Sequence, residues 1–337
     1  MLFATFASAR VRRRTVVAPP PREPDLVMTL VSQPQPVTGS DGERKLAWEL
    51  VLRNERDEDL TLTAIELVGA NITYDVPALR DLILNVPPRT EADPPPERIR
   101  AHELAAVFFW ISGDTPKAFT HRIHLANKTI DGPQVVVRND APIPVAAPLA
   151  GDRWFAGNGP ANDTGHRRAL FFIDDRYLLA QRFAIDWVKV DAVLRTFRGD
   201  ESKNSSYFAY GTDVLAVADA TVSRINDGMP ENVPHEPPIF PFSLDTAAGN
   251  YVILDLGSSR YALYAHLQPG SMRVKVGDRV TKGQPLAQLG NSGNSSEPHL
   301  HFHVCDANSS LVCDGLPYVL ERTSTIPLKN DIVDFDR

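Results

Sequence analysis

From about Pro24 to Pro148, short apolar segments alternate with turn residues: "DLVMTLVSQ", "KLAWELVLRN", "LTLTAIELVG", "AAVFFWIS", "HRIHLANKT" and "PQVVVRND". Each has the length of a strand, and most of the region shows no helical period. The pattern predicts an antiparallel, immunoglobulin-like β-sandwich over residues 24–148. "APIPVAAPLAGD", from Ala141 to Asp152, interrupts the alternation with proline and alanine and marks a domain boundary. Beyond it the chain is strand-like again. "ALFFI" and "YLLAQRFAIDWV" flank a "DDR" turn, and "DVLAVADATVSRI", "NYVILDLG", "RYALYAHL", "MRVKVGDRVTKGQPLAQLG" and "HLHFHV" follow. Gly211, Gly277, Gly283, Gly290 and Gly293 punctuate these segments, as tight turns between strands require. The expected class is all-β: the sandwich, then an antiparallel β-sheet domain over 149–325. Residues 1–23 read as a disordered N-terminal segment or remnant signal, and 326–337 as a C-terminal tail.

Composition narrows the function. The 337 residues are 43% hydrophobic and 23% charged, the balance of a globular protein. A net charge of −7, with the basic run confined to Arg10–Arg14, argues against nucleic acid as a partner. No apolar stretch approaches the roughly 20 residues that cross a bilayer, so no transmembrane segment is expected. The start "MLFATFASAR" has an apolar stretch and a small-x-small triplet at Ala7-Ser8-Ala9, but lacks the basic lead and the length of a secretory signal. Cys305 and Cys313 lie eight positions apart; a disulfide in an oxidising compartment and two unrelated thiols both remain open.

The chemistry concentrates in "EPHLHFHV", Glu297 to Val304. On a strand, His299, His301 and His303 point to one side, and Leu300, Phe302 and Val304 to the other. The apolar set is expected to face the core and the histidines a surface or cleft. Three imidazoles in register suit a metal as well as they suit solvated polar positions. Further candidates are His266, at the end of the apolar "YALYAHL"; His166 in "NDTGHRRAL"; and Asp186, an acid interrupting the apolar "RFAIDWVKV". A buried carboxylate needs a metal or a cationic partner, and Arg182 is the nearest such partner in sequence. His102, His121 and His124 read as surface or strand polars without a function.

The segment "YALYAHLQPGSMRVKVGDRVTKGQPLAQLGNSGNSSEPHLHFHV" resembles the core of the lysostaphin-type (LytM-type) zinc endopeptidases, which cut peptide cross-bridges of bacterial peptidoglycan. The likeness spans about Phe183 to Asp306. It implies a lysostaphin-type antiparallel sheet in the C-terminal half, Zn²⁺ as cofactor, peptidoglycan peptides as substrate and a cell-envelope location, periplasmic or extracellular. It also implies His301 and Asp186 as metal ligands and His266 and His299 as catalytic residues. In "GTDVLAVADATVSRI", Ala220 stands where that family usually has glycine, and His303 where it more often has an acid.

One departure bears on activity. The family places a histidine ligand four residues before the aspartate, and that position is Arg182, which has no lone pair to give a metal. His166 is the expected substitute. With Asp174–Arg176 as a hairpin turn, Ile173 faces Tyr177, and the same register sets His166 opposite Ala184 and diagonal to Asp186. The expected metal set is therefore His166, Asp186 and His301, with His303 in support. His235, in the proline-rich "MPENVPHEPPIFPF", belongs to a loop that either walls a substrate groove or is plain surface. The alternative is a degenerate relative that binds and activates other cell-wall hydrolases, with Asp186 paired to Arg182. The carrier-like hairpin "VGDRVTKGQPLAQLG" suggests a binding module, a reading that leaves the histidines without a purpose.

Overall fold

The computed structural model describes residues 25–336 apart from 89, 91, 92 and 115. The segment 1–23 lies outside them. Strands dominate, and the described helices are short: Val76–Leu82, Gly165–Arg168 and a 3₁₀ turn at Asn204–Ser206.

Two antiparallel sheets form the N-terminal part. One runs Leu26–Leu30, Arg44–Asn54, Leu104–Ser112, Ile83–Val86; the other runs Thr129–Val136, Ala118–Leu125, Leu60–Val68, Ile72–Asp75. Alternation supplies the core between them: Leu46, Trp48, Leu50 and Leu52 from one strand meet Leu62, Ile65, Phe119 and Ile123 from the facing sheet. Trp48 stacks on Phe109 with ring centroids 4.8 Å apart. His121, expected at a surface or strand polar position, is on a strand but buried in this core. Trp48 Nε1 donates to its Nε2 at 3.0 Å, and its other nitrogen faces the Pro133 carbonyl.

The Arg44–Asn54 strand is buried on both faces. Its odd-numbered residues Ala47, Glu49 and Val51 are covered by the C-terminal half: Val51 packs with Phe108 and Leu179, and Ala47 joins the C-terminal core. A sheet with one wet face shows an apolar–polar alternation; one covered on both sides does not.

The C-terminal half is built on an eight-stranded sheet ordered Arg279–Val280, Ala220–Asn226, Asn250–Asp255, Tyr261–Leu267, Leu300–Cys305, Ile185–Lys189, Trp154–Gly157, Ile332–Val333. Its neighbours pair antiparallel, and Ile332–Val333, within the stretch expected as a tail, supplies an edge. A parallel pair, Ile143–Val145 with Tyr318–Leu320, lies outside that sheet. Leu300, Phe302 and Val304 point into the main core with Trp187 and Tyr264. Their alternates do not reach an open surface: every residue of Leu300–Cys305 is buried. Of the expected surface or cleft it is the cleft that is found: His299 and His301 line a cavity, while His303 is fully buried.

The hairpin near Asp174 also differs from expectation. Ile173 faces Arg176, one residue out of the anticipated register, and pairing ends at Phe171–Leu178. His166 is not on a strand. It sits in the helical turn Gly165–Arg168, whose cap is Thr164 accepting from the Arg167 amide.

Candidate metal centre

Cross-strand pairing assembles the centre. Asp186 lies opposite His301, and His301 opposite Ala265, so three neighbouring strands present their side chains at one level. His266 follows Ala265 in the left-handed region, φ 64°, a strained conformation for a non-glycine residue of the kind that clusters at functional sites. Its Nδ1 faces the Ser292 carbonyl at 2.7 Å. That contact depends on two glycines. A Cβ on Gly249 would lie 2.5 Å from Ser292, and one on Gly293 2.3 Å from the Gly249 nitrogen; both have positive φ.

The structure brings all five expected site residues together around a cavity of about 390 Å³: His166, Asp186, His266, His299 and His301. Ligand atoms of His166, Asp186 and His301 lie within 4.8 Å of one another, all three residues buried. His166 Nε2 is 3.3 Å from Asp186 Oδ2, His301 Nδ1 2.9 Å from Oδ1, and His299 Nε2 3.4 Å from Oδ1. His166 thus reaches Asp186 as expected, by a capped turn rather than a hairpin.

Hydrogen bonds assign the tautomers. A carbonyl only accepts, so the ring nitrogen facing it carries the proton. His166 Nδ1 faces the Asn158 carbonyl at 3.0 Å, His299 Nδ1 the Glu297 carbonyl at 2.8 Å, and His266 Nδ1 that of Ser292. In their neutral forms all three keep an Nε2 lone pair, as metal-ligating histidines held by an outer partner do. Asn158, which sequence reasoning missed, also donates from Nδ2 to Asp186 Oδ2 at 3.0 Å. Its signal was the "GNG" turn, where Asn158 adopts φ 45°.

The carboxylate and the imidazoles set one another's charge. Burial alone would raise the Asp186 pKa, but the His166 and His299 charges and hydrogen bonds hold it well below the usual carboxylate range. Burial would likewise lower His166 and His299, yet the Asp186 carboxylate keeps both above the usual imidazole value. His266 is pushed well below that value by burial and by the charges of His299 and His301. One carboxylate and two imidazoles converging from three backbone segments are a donor set for a divalent metal.

Arg182 takes no part. It is buried and donates to both Glu49 oxygens, at 3.0 and 2.8 Å, and to Asp314 at 3.2 Å. Arg167, beside His166, donates to Glu49 Oε1 and to the carbonyls of Trp48 and Phe109. Glu49, wholly buried, was also missed: it sits in a region where sequence offered no chemistry. His303 is buried behind His301, its Nδ1 3.0 Å from His301 Nε2. His235 meets the Tyr207 hydroxyl at 2.9 Å, away from the metal set, while Phe242 of the same loop lines the cavity and stacks on Phe171. Cys305 and Cys313 are free thiols, both buried.

An all-β protein with a buried two-histidine, one-carboxylate set at a cavity belongs to the class of candidate metal enzymes. The comparisons sharpen that. Residues 206–312 match the model of Peptidase family M23. The match includes His266, His299 and His301; His166 and Asp186 precede it. The chain is 39% identical over 57 residues to the peptidoglycan DD-endopeptidase ShyA of Vibrio cholerae serotype O1, covering 17% of this chain and 13% of that protein. It is 33% identical over 112 residues to endolysin 2638A of Staphylococcus phage 2638A, covering 31% and 20%. The chain thus spans a fifth or less of these two relatives. Among solved structures, the lysostaphin catalytic domain from Staphylococcus simulans aligns at 18% identity over 51% of this chain and 86% of that one, with a TM-score of 0.25.

Proposed function

We propose that the protein is a zinc metalloendopeptidase that hydrolyses peptide bonds in peptidoglycan cross-bridges, acting in the cell envelope. The observation that carries this is the convergence of His166, Asp186 and His301 at the cavity, with His266 and His299 alongside.

His166 through Nε2, His301 through Nδ1 and Asp186 through its carboxylate would hold Zn²⁺; three protein ligands leave a position for water and substrate. When bound, zinc supplies a Lewis acid that polarises the scissile carbonyl and acidifies water. His266, kept neutral by burial, offers Nε2 as the proton acceptor during attack. His299, which the Asp186 carboxylate favours in its protonated form, would carry a proton on Nε2 as well and donate it to the developing oxyanion or the leaving amine. Asn158 and the carbonyls of Ser292 and Glu297 hold these groups in their working tautomers. A second cavity of about 290 Å³ shares Asn158, Asp186, Ser296 and His299 with the first. An extended peptide reaching through both would pass Asp186 and His299. The N-terminal sheets also clamp the segments beside the site, through Glu49 bound by Arg167 and Arg182.

The rival reading, a metal-free activator of other hydrolases, drew on Arg182 at a ligand position. Arg182 binds Glu49 and Asp314 rather than Asp186, which leaves the carboxylate to the histidines and supports the peptidase reading. The deciding experiment measures zinc in the purified full chain and the release of new amino termini from purified sacculi, with and without a chelator. Bound zinc and chelator-sensitive release are expected; a chain that retains no zinc and releases nothing is not an enzyme of this kind.

A further inference from the structure

A second donor cluster lies one step deeper. On the Leu300–Cys305 strand, His301, His303 and Cys305 share a face. Cys313 returns to it at the end of the 306–312 loop, closed by Cys305 bridging Gly315 and by the Asp314 amide donating to the Asp306 carboxylate at 2.8 Å. A ring nitrogen of His303 and the sulfurs of Cys305 and Cys313 lie within 4.8 Å of one another, all buried. With Nδ1 against His301, the other nitrogen of His303, Nε2, is buried without a hydrogen-bond partner among the described residues. Ala180, Ala247 and Leu311 pack on the two cysteines, and the Asp306 and Asp314 carboxylates lie near enough to Cys313 to help push its thiol up. The thiols' hydrogen bonds go to loop carbonyls: Cys305 to Ala307 at 3.2 Å and Ser309 at 3.6 Å, Cys313 to Ser309 at 3.5 Å.

We propose that His303, Cys305 and Cys313 form a second metal site, distinct from the cavity set, for a thiophilic closed-shell cation, Cu(I) in preference to Zn²⁺. A buried imidazole nitrogen without a partner is unfavourable, and natural proteins leave few such groups. A Cys305–Cys313 disulfide would use both thiols and still leave His303 Nε2 unpaired, whereas a cation engages all three donors. Two thiolates and an imidazole are the donors that soft metals select. Cu(I) is satisfied by three ligands, whereas structural zinc takes four, and the cluster found among the described residues has three donors. Binding displaces the thiol protons to solvent and changes no oxidation state. The lone pair at His303 Nε2 is available when Nδ1 carries the ring proton and donates it to His301 Nε2. His301 then keeps its own proton on Nδ1, against Asp186, so the second site takes its cation when the cavity set is empty. Ser310 and Leu311 of the closing loop line the cavity wall, which gives the cation its way in.

The test uses the full chain, reduced, freed of metal by chelation and held anaerobic, titrated with Cu(I) against a chromophoric Cu(I) chelator and separately with Zn²⁺. One tightly held equivalent of Cu(I) is expected. Cys305→Ser, Cys313→Ser and His303→Leu should each weaken it by more than about 100-fold, beyond what loss of an outer partner costs. Circular dichroism and thermal unfolding of each variant, with Cys313→Ala as a second substitution, separate ligand loss from misfolding. His166→Ala should leave Cu(I) binding intact while disabling the cavity set, so this proposal and the proposed peptidase function fail independently. Cu(I) held equally by the cysteine variants, Cu(I) lost in His166→Ala, a preference for Zn²⁺, or thiols that after reduction bind no Cu(I) would each overturn the assignment.

Discussion

Two buried charged clusters sit side by side and share the same backbone. Arg167 and Arg182 belong to one, and His166 and Asp186, one and four residues away, to the other. In the first, Glu49 and Asp314 balance two guanidiniums, and Glu49, Arg167 and Arg182 are each at most 4% exposed. Burial would raise the Glu49 pKa, but Arg182 and Arg167 hold it below the usual carboxylate range, so the group is ionised and paired. The second cluster opens on a cavity, and one carboxylate faces the nitrogens of three histidines. A closed, charge-balanced cluster holds backbone segments together; lone pairs aimed at one open point are built for a ligand. Arg182 illustrates the distinction, since its position in sequence suggested a broken metal site and its contacts make it a clamp.

The comparison breaks most visibly at Asp186. Asp186→Asn should abolish metal retention and with it hydrolysis of sacculi, a loss beyond the about 10²–10⁴-fold contributed by an acid–base group; elemental analysis and amino-terminus release check it. His266→Ala and His299→Ala should lower kcat by about 10²–10⁴-fold while the protein keeps its zinc. A variant that loses metal and activity together would move that histidine into the ligand set.

The ionic cluster should respond in stability. Glu49→Gln leaves Asp314 alone against two buried guanidiniums and should cost about 3–5 kcal/mol in denaturant unfolding. Its metal affinity should fall as well, because Arg167 and Arg182 hold the segments carrying His166 and Asp186. Unchanged metal affinity would show that the clusters are merely neighbours.

The smallest effect is a pH dependence of the metal-free protein. His166 and His299 have raised folded values, so their contribution is present below about pH 6.5 and lost as pH rises through those values. His266, His301 and His303 have lowered values, and theirs is present above about pH 6.5 and lost as pH falls. Thermal unfolding across pH should therefore peak near neutrality, and added zinc should flatten the alkaline side by holding His166 neutral.

Much of this was legible in the chain. Period-2 alternation identified the strands and put His299, His301 and His303 on one face, since side-chain direction on a strand is local geometry. The likeness of "YAHL" and "PHLHFHV" to a peptidase core implied separate roles for them. The candidacy of His166 was also legible, although its hairpin route was not, because a one-residue shift and a capped turn at Thr164 are decided by packing. Glu49 was invisible: its partners lie 118 and 133 residues away.

What the sequence alone determined is therefore whatever depends on neighbours along the chain: strand character, the shared face of the histidines, the identity of the donors. The tertiary structure decided what depends on burial. It buried His303 and both thiols beneath a loop, covered the outer face of the Arg44–Asn54 strand, and turned Arg182 away from Asp186. The physical reason is that desolvation makes an unpaired charge or lone pair costly, and the partner that relieves it is set by proximity in space.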